Sequence, residues 1–154
     1  MNLASYVLLY RAMACPYFFP TARLENGSWV IPPRVPLGDA QTGECRAAAN
    51  PFQPDEAHLR DACNCGYGRL GCERFPTDAV CDAVRFHVGE ESGAMIRIQY
   101  VLEKDSWPAG HGILDYSLAA GEIRGTEDVI LARQAEAFVE SYVRRKEQAL
   151  AIGA

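Results

Sequence analysis

Residues 63–72 read Cys63-Asn64-Cys65-Gly66-Tyr67-Gly68-Arg69-Leu70-Gly71-Cys72, three thiols and three glycines within ten positions. Core packing does not account for this composition, because Gly66, Gly68 and Gly71 have no side chains to bury and lose backbone entropy when ordered. The stretch reads as a ligand loop. Immediately upstream, residues 54–63 (Pro-Asp-Glu-Ala-His-Leu-Arg-Asp-Ala-Cys) predict a short helix, with proline at the first turn and Asp55 and Glu56 beside it. Leu59, Ala62 and Cys63 share one face of that helix, so Cys63 projects inward from its last turn. Asn64 is suited to the left-handed conformation that ends a helix, and Phe75-Pro76 closes the region.

Further upstream the signals thin out. Eight of the nine prolines fall between positions 16 and 76, and each fixes its own φ, restricts the residue before it and removes a backbone donor. This half is expected to be mostly loop, held by a metal or by disulfides rather than by regular structure. From about residue 83 the pattern becomes regular. Val84, Phe86 and Val88 alternate with Arg85 and His87, and Ile96, Ile98, Tyr100 and Leu102 with Arg97 and Gln99. Leu114, Tyr116 and Leu118 follow and turn back through residues 119–121 into Ile123. These runs predict a three- or four-stranded antiparallel meander, with polar residues 89–93 as one turn and residues 107–110 as a wide one. Thr126 offers an N-cap for a helix to about residue 151, whose stripe of Leu131, Ala135, Phe138 and Tyr142 should cover one face of the sheet. The expected class is α+β in a single domain, with a cysteine- and proline-rich half (1–82) packed on the meander and C-terminal helix (83–154).

Composition narrows the function classes. The chain has 154 residues, 49% of them hydrophobic and 23% charged, with a net charge of -5. Its one tight basic run, Arg144-Arg145-Lys146, falls near the end of a helix, where cations complement the macrodipole. Nucleic acid is therefore not an expected partner. Apolar residues 3–10 precede Ala12-Met13-Ala14-Cys15, a sequence that resembles a lipoprotein cleavage site. However, no Lys or Arg leads it, Arg11 interrupts it and Pro16 follows the cysteine. A cytoplasmic protein without a membrane span is expected, with a protein partner.

Six cysteines stand at 15, 45, 63, 65, 72 and 81. An even count is compatible with disulfides, but clustered thiols in a reducing compartment point to metal binding. Paired C-x2-C zinc knuckles are absent. Single cysteines contributed by separate loops suit an iron–sulfur cluster, and glycine backbone N–H groups near sulfur stabilise thiolate charge. The expected ligands are Cys15, Cys45, Cys63 and Cys72, with Cys65 as an alternate, and the expected cofactor is a [4Fe–4S] cluster, with zinc as the alternative. Cys81 reads as a small buried hydrophobe. Arg46, Arg60, Arg69 and Arg74 lie near cysteines in sequence and could offset thiolate charge.

Cys15-Pro16-Tyr17-Phe18, Pro36-Leu37-Gly38, Gly43-x-Cys45, Cys63-Asn64-x-Gly66-Tyr67 and Phe75-Pro76 resemble an uncharacterised bacterial family of short cysteine-rich proteins. The resemblance extends over most of the chain and implies no activity. In the family's pattern position 65 need not be cysteine, which implies that Cys65 is a bystander.

Three further patterns are set aside. Gly66-x-Gly68-x-x-Gly71 has the letters of a dinucleotide fingerprint, but it follows a helix end and meets Pro76 instead of opening a helix. Asp105, Ser106, His111 and Asp115 are the residue types of a hydrolase triad without its nucleophile elbow. His58, five residues before Cys63, lies roughly 140° from it around the helix. No catalytic residue is assigned and an enzymatic role is not expected, since four cysteines close a tetrahedral site.

Overall fold

The computed structural model describes residues 14–24, 37–64 and 67–153. Its elements are β1 (Phe18–Arg23), β2 (Gln41–Cys45), a helix α1 (Glu56–His58) continuing as a π-helical turn (Leu59–Cys63), a 3-10 turn (Gly68–Leu70), β3 (Ala83–Ser92), β4 (Met95–Lys104), β5 (Trp107–Ser117), β6 (Glu122–Arg124) and α2 (Val129–Gly153). They form an α+β fold with a two-stranded sheet, β1-β2, and a four-stranded antiparallel sheet, β3-β4-β5-β6. Among the described residues no helix is long and apolar enough to cross a membrane.

The alternation read in the second half sets the registers. Val84 faces Leu102, Phe86 faces Tyr100 and Val88 faces Ile98 across β3 and β4. Their shared face, with Leu114 and Tyr116 of β5, packs on Leu131, Ala135 and Val139 of α2, and Phe86 stacks on Phe138 at 5.6 Å. Arg85, His87, Arg97 and Gln99 point outward and are exposed.

Both expected turns are displaced. β3 and β4 run on to a two-residue reversal at positions 93–94, and the surplus residues are absorbed by a bulge between Val88 and Glu91. Residues 107–110 belong to β5, and the chain reverses at Asp105 and Ser106, whose φ angles of 52° and 68° supply the left-handed geometry of a tight hairpin. Pro108 is tolerated because β6 pairs only with residues 115–117, leaving the outer side of β5 at 108 as an edge. The long helix also starts later than expected. Asp128 is its cap, Oδ1 accepting from the N–H groups of Ile130 and Leu131 at 3.0 and 3.1 Å, while Thr126 Oγ1 accepts from the N–H of Asp128 at 3.0 Å.

The first half is more regular than its prolines suggest. β1 carries Pro20 because, among the described residues, it pairs with β2 alone, which leaves its other side as an edge; a bulge between Pro20 and Ala22 puts Thr21 out of register. Gly43, opposite Pro20, is required there, since a Cβ would stand 2.1 Å from the Phe19 carbonyl oxygen. Among the described residues, several contacts join this half to the rest, two of them anchors made through backbone and small residues. Ala14 exchanges two hydrogen bonds with Val84 on the edge of β3, each 2.8 Å. Leu37 is fully buried, and Gly38, at φ +83°, sits against Ser141 of α2. The arginines of the basic run serve the second anchor rather than the end of the helix: Arg144 and Arg145 pair with Asp39 and Arg145 also reaches the Gly38 carbonyl, while Lys146 pairs with Glu91 of β3 at 3.0 Å.

Candidate metal centre

Four separate segments present the four cysteines. Cys15 follows the Ala14 bridge. Its N–H donates to the Cys63 carbonyl at 3.1 Å, and its carbonyl accepts from the N–H of Phe18 at 3.1 Å, which closes a turn over Pro16 and Tyr17. Cys45 ends β2 opposite Phe18 and exchanges backbone bonds with Phe52 at 2.7 and 2.9 Å. Cys63 ends the π-helical turn, which continues α1, itself capped by Asp55 accepting from the His58 N–H at 2.8 Å, and which buries Leu59, Ala62 and Cys63. Cys72 follows the 3-10 turn, its N–H donating to the Gly68 carbonyl at 2.6 Å and its carbonyl accepting from Phe75 N–H at 3.1 Å.

Asn64 does not take the left-handed conformation expected of it. It stays right-handed, with φ -80° and ψ -25°, and the left-handed residue is Tyr67 at φ 57°. The physical reason is the Asn64 side chain, which is fully buried. Its Oδ1 accepts from the Gln41 N–H at 2.9 Å, and its Nδ2 donates to the carbonyls of Gln41 and Leu59 at 2.9 and 3.0 Å.

Cys15, Cys45, Cys63 and Cys72 all line one partly open cavity, together with Tyr17, Phe18, Ala47, Ala62, Gly68, Arg74 and Phe75. Tyr17 and Phe75 meet edge to face at 5.6 Å in its wall, and a Cβ on Gly68 would press on Phe75 and the Cβ of Cys72 at 3.1 and 3.4 Å. Cys15 and Cys63 are buried, whereas Cys45 and Cys72 are half-buried. Burial pushes the Cys15 thiol from 9.0 up to about 12, with neighbouring Cys45 and Cys72 adding to the rise. Cys63 is raised further by the same causes, burial first and then Cys15, Cys45 and Cys72. Raised this way, both thiols hold their protons at neutral pH, and any metal taken up must displace them. Of the four nearby arginines only Arg74 lines the cavity, stacked over Phe52 at 3.4 Å. Arg46 pairs with Glu44, Arg60 with Asp61, and Arg69 with the buried Asp82 at 2.6 Å.

The remaining candidates separate from this site. Cys65 and Gly66 lie outside the described residues. Cys81 is buried and does not line the cavity, although its charge is felt at Cys15 and Tyr17, and all five described cysteines are free thiols. His58 is held between Asp55 at 2.9 Å and Glu73 at 3.5 Å on the surface. Gly68 belongs to a 3-10 turn that neither follows a strand nor opens a helix. Asp105 and Ser106 form the hairpin turn, and Asp115 pairs with Arg97 at 3.0 Å, so no triad assembles. Two residues of the site that the sequence reading missed are Asn64, as a staple, and Gln134. A signal existed for Gln134, a polar residue within the apolar stripe between Leu131 and Ala135. None existed for the pairing of Asn64 with Gln41, because that partner is 23 residues away.

Among the described residues no three His, Cys, Asp or Glu side chains converge closely enough to hold a single metal ion. Comparison of the chain with protein-family models, with curated proteins and with solved structures returns no match.

Proposed function

We propose that the chain is a small iron–sulfur protein whose cluster, of the [4Fe–4S] type, is held by Cys15, Cys45, Cys63 and Cys72, serving electron transfer, redox sensing or an accessory role with a protein partner. The observation that carries this reading is the convergence of four cysteines, from four segments spread over 58 sequence positions, on one cavity whose described lining contains no His, Asp or Glu. An all-thiol donor set is soft and selects iron–sulfur clusters or zinc over harder ions. Between these two, single cysteines contributed by separate segments, with no paired C-x2-C knuckle, favour a cluster over a tetrahedral zinc. The aromatic wall limits water access, and the half-buried Cys45 and Cys72 bring one side of the site within reach of a redox partner. Anaerobic reconstitution with iron and sulfide, followed by analysis of both, tests the reading. About four irons and four labile sulfides per chain, with a brown chromophore bleached by dithionite, are expected. A colourless, iron-free protein, or one zinc per chain unaffected by oxygen, overturns it.

A further inference from the structure

Two primary amides are buried to zero exposure, and both end on backbone beside the cavity thiols. Gln134, on α2, donates from Nε2 to the Cys15 carbonyl at 2.8 Å and to the Phe18 carbonyl at 2.7 Å, more than a hundred residues away in sequence. Asn64 acts as a strand partner for Gln41, accepting from its N–H and donating to its carbonyl, and reaches back to Leu59. The first amide ties the Cys15 turn to the helix of the second half. The second ties the Cys63 turn to β2, the strand that ends at Cys45. Neither lines the cavity. Burying an amide is unfavourable unless its hydrogen bonds are made, and an apolar residue of equal size would fill either space. Among the described residues Oε1 of Gln134 has no partner, so only its two donor bonds offset that burial. What those bonds achieve is to fix the turn that carries Cys15.

We propose that Gln134 and Asn64 are positioning residues of the four-cysteine site, holding three of its thiols toward one cavity before a cofactor arrives. The proposal rests on the ligand set of the preceding section, and it assigns to two amides the ordering role that the sequence alone suggests for the cofactor. The test begins on the reduced, metal-free full chain. Iodoacetamide labelling read by peptide mass spectrometry gives the rates for Cys15 and Cys63 relative to Cys81, a buried thiol outside the cavity. Gln134→Met keeps the volume and removes both donors, and it is expected to raise the Cys15 rate relative to Cys81 about tenfold. Asn64→Leu is expected to do the same for Cys63. A parallel rise of all thiols, or no change, overturns the proposal, because the amides then serve only general stability. Should Gln134→Met not fold, Gln134→Glu, which keeps one donor when protonated, carries the same comparison. The second measurement is reconstitution: both variants are expected to bind less than half the wild-type iron while the Cys81→Ser control binds it fully, and full loading overturns the proposal. A wild-type chain that takes up no iron defeats the cluster reading alone, since the labelling comparison still decides the role of the amides.

Discussion

Raising the pH of the metal-free protein should unfold it from the cysteine site outward. Cys15 titrates near 9.0 when exposed and at about 12 in the folded chain, because burial and the neighbouring thiols disfavour its thiolate. The folded state therefore keeps a proton that the unfolded state releases. The stability contributed is intact below about pH 9 and is lost progressively as the pH rises toward 12, at about 1.4 kcal/mol per pH unit. At about pH 11 the loss from Cys15 alone reaches roughly 3 kcal/mol, and Cys63, raised in the same direction, adds to it. Against a total stability of about 5–15 kcal/mol this is a large fraction. Urea titrations at pH 8, 9, 10 and 11 measure it, with an expected fall in midpoint of roughly 1 M or more. Cys15→Ser removes the titrating group, so its midpoint should fall less steeply above pH 9 than that of the wild type. If the two fall in parallel, Cys15 is not the buried thiol described here.

Three further outcomes follow from the structure. Serine at position 65 or 81 should leave iron uptake intact, whereas serine at 63 or 72 should abolish it, as read by iron content after reconstitution. Gly43→Ala should lower stability by about 3 kcal/mol or more, because its Cβ would stand 2.1 Å from the Phe19 carbonyl; Gly71→Ala, whose Cβ meets nothing within 4 Å, should change the melting temperature little. Asp82 is pushed up by burial but held low overall by the Asp105 N–H and the Arg69 guanidinium, so its contribution is present above about pH 4 and lost as the pH falls through its lower folded value. Asp82→Asn should cost about 2 kcal/mol at neutral pH, discounted for the partial exposure of Arg69, and should flatten the acid limb of melting temperature against pH.

The parts of the fold that were legible are those in which each residue reports on its own surroundings. Val84 to Leu102 alternate because one face of the sheet meets α2 and the other meets water, and Leu131, Ala135 and Phe138 repeat because α2 has one buried face. Asp55 and Asp128 advertise helix starts through short-range bonds, although the second was read two residues early at Thr126. The two-stranded sheet of the first half was not legible. Pro20 argues against a strand unless the strand is known to be an edge, and that depends on a partner, β2, beyond an intervening stretch of chain. The turn at Asp105 and Ser106 was hidden because Trp-Pro-Ala-Gly next to it has the composition of a loop.

Residue chemistry by itself determined that Cys15, Cys45, Cys63 and Cys72 were the thiols to weigh, and that a sheet with a long helix would follow them. Only the tertiary structure decided that these four share a cavity and that Cys81 does not. The reason is that the convergence is made by bonds no local pattern encodes: Cys15 N–H to the Cys63 carbonyl, Asn64 to Gln41, and Gln134 across 119 residues to Cys15.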